Sequence, residues 1–147
     1  MLYTKLTIKA MEVAFCAHFG QKDKAGAPYI FHPLHIAENM VNEDLTVVAL
    51  LHDVIEDTDF NASDLRKFGF TPVQVDAVVA ITRKKDEKYF DYIARLKQND
   101  LARMVKMADL KHNSDKSRLL TLPQEEQEQM LKLIDERYKK ALKMLKE

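Results

Sequence analysis

The sequence predicts an all-α fold, a compact bundle of about seven helices. Apolar residues recur at intervals of three and four along most of the chain, and no alternating run has the length of a strand. Only three glycines and four prolines interrupt the 147 residues. A chain of this length is the size of one ordinary domain, and no shift in composition marks a boundary, so residues 1–147 are expected to form a single domain.

The first helix is expected to lie near the centre of the core. Leu6, Ala10 and Ala14 share one face, and Phe15 extends the apolar surface to a second face, so this helix is apolar on most sides. Cys16 is the only cysteine and has no partner for an internal disulfide. It is expected to be a buried thiol, because free cysteines are among the most buried residue types.

A loop and two helices are expected to follow. The stretch GQKDKAGAPYI holds two of the three glycines and one proline, a composition typical of a loop. A second helix is predicted to start near His32 and Pro33, since proline is tolerated in the first turn. Asp44 is predicted to cap a third helix, which carries the sequence ALLHDVIEDT.

The second half of the chain also has helical signals. NASDLRKFG predicts a short helix closed by Gly69. TPVQ offers a threonine cap, a proline at the first helical position and a glutamine that completes a capping box. Further helices are predicted over residues 89–98, 101 to about 116, and 123 to the C-terminus. The last helix has acids in its first turns and lysines in its last, an order that complements the helix dipole.

The composition excludes several classes of protein. Hydrophobic residues make up 46% of the chain and charged residues 31%, which is typical of a globular protein and not of a disordered or membrane one. The 23 basic and 23 acidic residues cancel, so neither a nucleic-acid partner nor a membrane surface is expected. Lysines interrupt the apolar runs at the start, which argues against a signal peptide or a spanning segment. A cytoplasmic location is expected, and nothing in the sequence predicts an oligomeric state.

The stretch ALLHDVIEDT places four ionisable side chains directly after a buried apolar segment. Burying ionised groups costs on the order of several kcal/mol each unless something compensates, and a metal ion is the usual compensator. Residues three or four apart share a helix face, so His52 is a neighbour of Glu56, and Asp53 of Asp57. One interpretation is that His52 and Asp53 hold a metal, while Glu56 and Asp57 position or deprotonate a water bound to it. The alternative is an acidic helix end that leads into a loop.

Two ligands on one helix are too few for tight binding, so other parts of the chain should supply more. The candidates are His18, His32 and His35 upstream, and Asp109 and His112 downstream. Asp109 ends the buried segment of VKMADLKHN, where a carboxylate needs a partner. Asn113 lies one turn beyond Asp109 on the same face.

Three motifs occur in a fixed order along the chain: AHFGQKDKAGAPYIFHP, ALLHDVIEDT and VKMADLKHN. Together they resemble those of the HD-domain alarmone hydrolases, which are the hydrolase half of the Rel/SpoT proteins and their stand-alone relatives, the small alarmone hydrolases. The resemblance covers residues 10–145, nearly the whole chain. It implies a compact single-domain helical bundle of the HD type.

The resemblance also implies a reaction and a set of site residues. The implied ligands of a divalent ion, usually manganese in that family, are His32, His52, Asp53 and Asp109. Glu56 and Asp57 are implied to activate and orient the attacking water. The implied contacts of a guanosine nucleotide are Lys24, Tyr29 and Asn113. The implied reaction removes pyrophosphate from the 3′ position of guanosine 3′,5′-bis(diphosphate).

The metal and the substrate are less constrained by the residues themselves. Two imidazoles and two carboxylates suit manganese, zinc or iron about equally, so manganese is implied by the resemblance alone. The family usually has an Arg-Lys pair in the first loop, whereas this chain has Asp23 followed by Lys24, and an acid there repels a polyanionic substrate. Two alternatives therefore stay open: an HD-superfamily hydrolase of another phosphorylated nucleotide, and a non-catalytic nucleotide- or metal-binding regulatory module. The chain is too short to hold a synthetase domain as well, so degradation is the expected activity.

A few polar residues have two readings each. His18 is expected to be structural, with a hydrogen bond to the loop that follows it. His35 and His112 are either spectators or participants in the site. Arg118 and the run RKKDEK at residues 83–88 could contact phosphate, or could form a surface ion pair and a solvated loop.

Overall fold

The computed structural model describes all 147 residues, and its architecture is all-α, as predicted. Its helices are α1 (Lys5–Ala17), α2 (Phe31–Glu38), α3 (Glu43–Leu51), α4 (Val54–Asp57), α5 (Ala62–Lys67), α6 (Pro72–Ile81), α7 (Tyr89–Leu96), α8 (Asp100–Asn113), α9 (Gln124–Leu133) and α10 (Lys139–Lys146). A 3₁₀ turn (Lys116–Leu119) precedes α9, and a π-helical turn (Ile134–Tyr138) joins α9 to α10. None of the helices combines the length and the apolar character needed to cross a membrane.

Local capping explains where several helices begin and end. Thr71 and Gln74 form the predicted capping box at the start of α6, and Gly69, at φ +96°, follows the end of α5. The predicted cap of α3 was wrong. Asn42 caps α3 by accepting the Leu45 N–H at 2.9 Å, while Asp44 lies in the first turn and accepts a hydrogen bond from Gln74 at 2.9 Å. Asp44 therefore ties α3 to α6.

The centre of the core is α3, not α1 as the sequence predicted. All seven residues from 45 to 51 are buried, and α1, α2, α6 and α8 pack around them. In α1 only one stripe, which includes Ala10 and Ala14, is buried. Phe15 lies outside that stripe and is 56% exposed, and the Cys16 thiol is exposed instead of buried. The apolar character of α1 thus overstated its burial, because one face of this helix has no partner.

A second apolar cluster connects α7, α8 and α10. It consists of Tyr92, Ile93, Leu96, Leu110, Ala141 and Leu145. Helix α8 contributes Ala102 and Val105 to the main core and Leu110 to this second cluster. Asp109 therefore lies on a helix that both clusters hold in place, and its side chain is buried between them. Rigid packing on both sides favours a fixed position for that carboxylate.

Candidate metal centre

His52 and Asp53 lie at a break between two helices, not within one continuous helix as predicted. Helix α3 ends at Leu51, and α4 begins at Val54. The His52 ring donates from Nδ1 to the carbonyl oxygen of Ala49 at 2.6 Å. In an uninterrupted helix that carbonyl would pair with the N–H of Asp53. The ring thus takes over a backbone acceptor where the helix stops, and both side chains point to one centre.

Four side chains from three segments bring donor atoms together at this break. Asp53 Oδ2 lies 3.0 Å from His52 Nε2 and 3.9 Å from His32 Nε2. Asp109 Oδ1 lies 2.8 Å from His32 Nε2 and 3.6 Å from His52 Nε2. Ligand atoms about 2.1 Å from one ion are roughly 3 to 3.5 Å apart, and the observed spacings, from 2.8 to 3.9 Å, lie on both sides of that range.

The chemistry of His52 tests whether a cation fits between these atoms. Because Nδ1 donates to Ala49, the neutral ring presents a lone pair at Nε2. That nitrogen is buried without a hydrogen-bond partner, although oxygens of Asp53 and Asp109 lie within 3.6 Å of it. A lone pair that faces two carboxylates is repelled unless a positive charge lies between them. The arrangement therefore fits a divalent cation.

In the absence of an ion, a proton on His52 takes the place of the cation between the same residues. Burial by itself would raise the pKa of Asp53, but the neighbouring His52 lowers it to about 2. Burial opposes ionisation of Asp109 as well, yet Lys106 and then the two histidines hold its pKa well below the usual range. Burial favours a neutral His52, but Asp53 and Asp109 raise its pKa well above the usual value. Two ionised carboxylates, Asp109 buried and Asp53 half-buried, thus create a strong demand for positive charge.

Further hydrogen bonds from outside the centre orient two of the four ligand side chains, Asp53 and Asp109. The Tyr29 hydroxyl donates to Asp53 Oδ2, and burial together with the charge of Asp53 raises the pKa of that phenol, so it keeps its proton. Asn113 donates to Asp109 Oδ1 at 3.0 Å, and Lys106 donates to Asp109 Oδ2 at 2.8 Å. Partners of this kind fix the orientation of metal ligands and tune their basicity.

Glu56 and Asp57 lie on α4, directly after the metal centre, and both side chains are exposed. Glu56 Oε1 accepts the backbone N–H of Arg83 at 2.8 Å, which ties α4 to the loop before α7. Partial withdrawal from solvent, followed by the charges of Asp53 and Glu56, raises the pKa of Asp57 to about 6. The influence of Asp53 indicates that these acids share the electrostatic environment of the centre.

A cavity of about 530 Å³ opens beside the centre. His32, Lys24, Tyr29 and Asn113 all line it, so the structure brings the predicted nucleotide contacts together with one predicted metal ligand. Lys24 reaches across the cavity from the first loop, and its ammonium donates to the sulfur of Met130 in α9 at 3.1 Å. Glu56 and Asp57 do not line this cavity.

The cavity wall carries opposing charges. Its basic residues are Lys22, Lys24 and Arg118, and its acidic residues are Asp23 and Asp115. The carboxylate of Asp23 is held by its own loop, because Oδ1 accepts the N–H groups of Ala25 and Ala27, both at 2.9 Å. Its other oxygen lies 3.9 Å from the guanidinium of Arg118. Arg118 thus faces the cavity, and Asp23 offsets part of its charge.

The remaining sequence candidates divide between the site and its surroundings. His18 bonds to Gln21 in the following loop at 2.9 Å, as expected of a structural histidine. The basic run at residues 83–88 does not line the large cavity. The sequence interpretation missed Lys106, because a lysine one turn before an acid is typical of a solvated helix face. The signal that could have identified it is its place among the apolar residues of VKMAD.

Comparisons with known proteins place these residues in context. No model of a known protein family matches the chain. A GTP pyrophosphokinase of Streptomyces coelicolor is 32% identical to it over 130 residues, with 80% of this chain covered. A guanosine-3′,5′-bis(diphosphate) 3′-pyrophosphohydrolase of Haemophilus influenzae is 31% identical over 115 residues, with 69% of this chain covered. The chain spans only 15% and 17% of the length of these two relatives.

The fold has a close counterpart among solved structures. A structure described as a metazoan orthologue of SpoT that hydrolyses ppGpp matches with a TM-score of 0.73 at 22% sequence identity. The match covers 99% of this chain and 96% of that one. The two chains therefore share their fold over nearly their whole length.

Proposed function

Because the chain belongs to the HD-domain (p)ppGpp hydrolase family, we propose that it is a metal-dependent phosphohydrolase acting on guanosine 3′,5′-bis(diphosphate). The observation that carries this proposal is the convergence of His32, His52 and Asp109, with Asp53 Oδ2 3.0 Å from His52 Nε2, beside a cavity of about 530 Å³. Ligand sites of this size accommodate small molecules such as nucleotides. In the hydrolysis, a water oxygen would form a bond to the phosphorus atom that is attached to the 3′ oxygen. The bond between that phosphorus and the 3′ oxygen would break, which leaves a 3′-hydroxyl and pyrophosphate.

The residues that would hold a divalent ion are His32, His52, Asp53 and Asp109. When bound, such an ion acidifies a water molecule and offsets negative charge on phosphoryl oxygens. The donor set accepts manganese, zinc or iron, and the family resemblance favours manganese. Outer contacts from Tyr29 and Asn113 keep the two carboxylates in place, so the ligands need little rearrangement before the metal binds.

The proton of the attacking water would be taken by a carboxylate of α4. The Arg83 N–H fixes one oxygen of Glu56, and this leaves the other oxygen and the exposed Asp57 as acceptors. Because α4 begins directly after Asp53, both acids are carried by the backbone segment that leaves the metal centre. A general base placed in this way typically contributes about 10²- to 10⁴-fold to the rate. The proton then returns to the departing 3′ oxygen.

The nucleotide would occupy the cavity between the first loop and the segment after α8. Lys24 and Arg118 present cationic groups to its phosphates. Leu119, Leu122 and Met130 form an apolar side of the same cavity, where a nucleobase can be shielded from water. The charged and apolar sides thus match the two ends of a phosphorylated nucleoside.

The pair formed by Asp23 and Arg118 favours a second candidate, a hydrolase of a less charged phosphorylated nucleotide. The charged residues Lys22, Asp23, Lys24 and Arg118 are called the mouth of the cavity. Asp23 Oδ2 lies 3.9 Å from the Arg118 guanidinium and reduces the positive charge of this mouth. The binding free energy of a bis(diphosphate) depends strongly on this positive charge, because the molecule carries many negative charges. A nucleotide with fewer phosphates loses less binding free energy when Asp23 offsets the charge of Arg118. The two candidates share the metal centre and differ only in what the mouth accepts.

A turnover assay separates these functions. The purified full-length chain with Mn²⁺ would be offered guanosine 3′,5′-bis(diphosphate), deoxynucleotides and nucleoside monophosphates, and released pyrophosphate or phosphate would be measured. Release of pyrophosphate from the bis(diphosphate) supports the proposal, and turnover of other nucleotides alone overturns it in favour of the second candidate. If Mn²⁺ binds and nothing is turned over, the chain is a binding or regulatory module.

A further inference from the structure

His112 lies outside the four candidate ligands but contacts one of them directly. Its Nδ1 is 2.7 Å from Nδ1 of His32. The two rings are nearly parallel, at 13° with centroids 5.0 Å apart, and His35 stacks on His112 with a centroid distance of 4.1 Å. Three histidines from α2 and α8 thus form a row that ends at the metal centre, with His32 and His112 side by side and His35 stacked on His112.

The contact between the two Nδ1 atoms restricts where the protons can be. A distance of 2.7 Å requires one proton between them, because two bare nitrogens would repel each other. His32 Nε2 lies 2.8 Å from Asp109 Oδ1, and when a cation between the ligands takes the lone pair of this nitrogen, the proton of His32 must be on Nδ1. His32 then donates to His112, and His112 carries its own proton on Nε2. One hydrogen bond thereby selects the tautomer of both rings.

The position of His112 is fixed by contacts that do not involve the metal centre. Arg118 donates to the backbone carbonyl of His112 at 3.1 Å, and His35 covers one face of the ring. His52 reaches the same tautomer by donating to the carbonyl of Ala49, a backbone acceptor. His112 is therefore to His32 what the Ala49 carbonyl is to His52, an acceptor for the Nδ1 proton. Because His112 is a side chain, this acceptor can be removed by mutation, whereas the backbone carbonyl cannot.

We propose that His112 is a positioning residue for the metal site: it accepts the Nδ1–H of His32 and so directs the His32 Nε2 lone pair into the centre. This inference rests on the metal centre of the proposed function and does not depend on the substrate. Loss of an outer partner of a metal-binding histidine typically lowers metal affinity about 10- to 100-fold. Asparagine at this position retains an acceptor, since its Oδ1 occupies nearly the place of histidine Nδ1.

The test compares Mn²⁺ affinity across matched variants of the full chain, with electron paramagnetic resonance measuring free Mn²⁺. We expect His112→Phe, which keeps a ring against His35 but has no acceptor, to bind about 10- to 100-fold more weakly. His112→Asn should stay within about threefold of the native chain, as should His35→Phe, whose position contributes stacking and no bond to His32. Equal affinity of His112→Phe and the native chain would overturn the proposal, and so would equal weakening by Phe and Asn.

A second measurement on the native chain guards against a variant that fails to fold. Proton-nitrogen correlation spectra of the histidine rings in the Zn²⁺-loaded protein report which nitrogen carries hydrogen. The proposal requires hydrogen on Nδ1 of His32 and on Nε2 of His112, and the opposite assignment at either ring overturns it. If the native chain binds neither Mn²⁺ nor Zn²⁺, the proposed metal centre fails and the inference fails with it. If the native chain binds both ions but the spectra or variants disagree, only the inference fails.

Discussion

The metal centre and the mouth of the cavity lie side by side but are held in different ways. In the centre, Asp109 is buried and receives hydrogen bonds from both Lys106 and Asn113. At the mouth, Lys22 and Lys24 are exposed, and Asp23 is held only by hydrogen bonds within its own loop. The difference shows that the candidate metal centre is fixed by several cooperating buried contacts, whereas the charges at the mouth can change at little cost to the fold.

The largest effect is expected from a change inside the centre. Asp53→Asn removes a charged ligand, so kcat/KM should fall by more than about 100-fold. Loss of a residue that only hydrogen-bonds to a metal ligand typically costs about 10- to 100-fold, and loss of the ligand itself should cost more. The measurement is turnover together with Mn²⁺ stoichiometry. Asp135→Asn makes the same chemical change at an exposed residue paired with Lys139 and should leave both values unchanged. Full activity of Asp53→Asn would show that this residue is not a ligand.

The next effect tests the acids that border the centre. Glu56→Gln should keep Mn²⁺ bound and lower kcat by about 10²- to 10⁴-fold, because the amide cannot accept the proton of the attacking water. Steady-state kinetics and a parallel metal titration measure the two quantities. Glu125→Gln, an exposed change in the first turn of α9, provides the control. A variant at Glu56 that retains its kcat would remove this residue from the reaction.

A third change concerns stability. Lys106→Met leaves Asp109 buried without its charged partner, so the metal-free protein should lose about 3–5 kcal/mol of unfolding free energy. Urea denaturation measures the loss, and saturating Mn²⁺ should reduce it, since the ion supplies positive charge and binds only the folded chain. Lys111→Met, on an exposed position of the same helix, should change stability by only about 0.5 kcal/mol or less. An equally small effect at Lys106 would mean that Asp109 does not depend on it.

The smallest effect is expected at the mouth. Asp23→Asn keeps an acceptor for the N–H groups of Ala25 and Ala27 but removes the charge that offsets Arg118. KM for the bis(diphosphate) should fall by up to about fivefold with kcat unchanged, because partly exposed ion pairs contribute about 1 kcal/mol or less. The ratio of KM values for a bis(diphosphate) and a monophosphate measures the change in preference. A fall in kcat as large as that of Glu56→Gln would show that the mouth is part of the chemistry.

The sequence predicted the parts of the molecule that depend on local rules. Helical spacing identified the all-α class, and the capping residues Thr71 and Gln74 and the stop at Gly69 lie where those rules placed them. Local rules could not predict that the His52 ring would donate to the Ala49 carbonyl at the end of α3. The orientation of this ring depends on its contacts with Asp53 and with Asp109, which lies on a distant helix.

Other features of the site depend on contacts between distant segments. His32 and His112 are 80 residues apart, and no spacing rule relates them. The exposure of Phe15 and Cys16 depends likewise on which face of α1 finds a partner. The motifs therefore named four side chains that the fold brings together, while their orientation and their outer contacts required the fold.

The contact between Lys24 and Met130 joins residues 106 positions apart in the chain. Closing so long a loop is slow compared with forming a single helix, so the two walls of the cavity meet late in folding. During synthesis, the segment that carries His32, His52 and Asp53 emerges from the ribosome well before α9. Three of the four candidate ligands can therefore come together in a nascent chain that still lacks the cavity wall formed by α9.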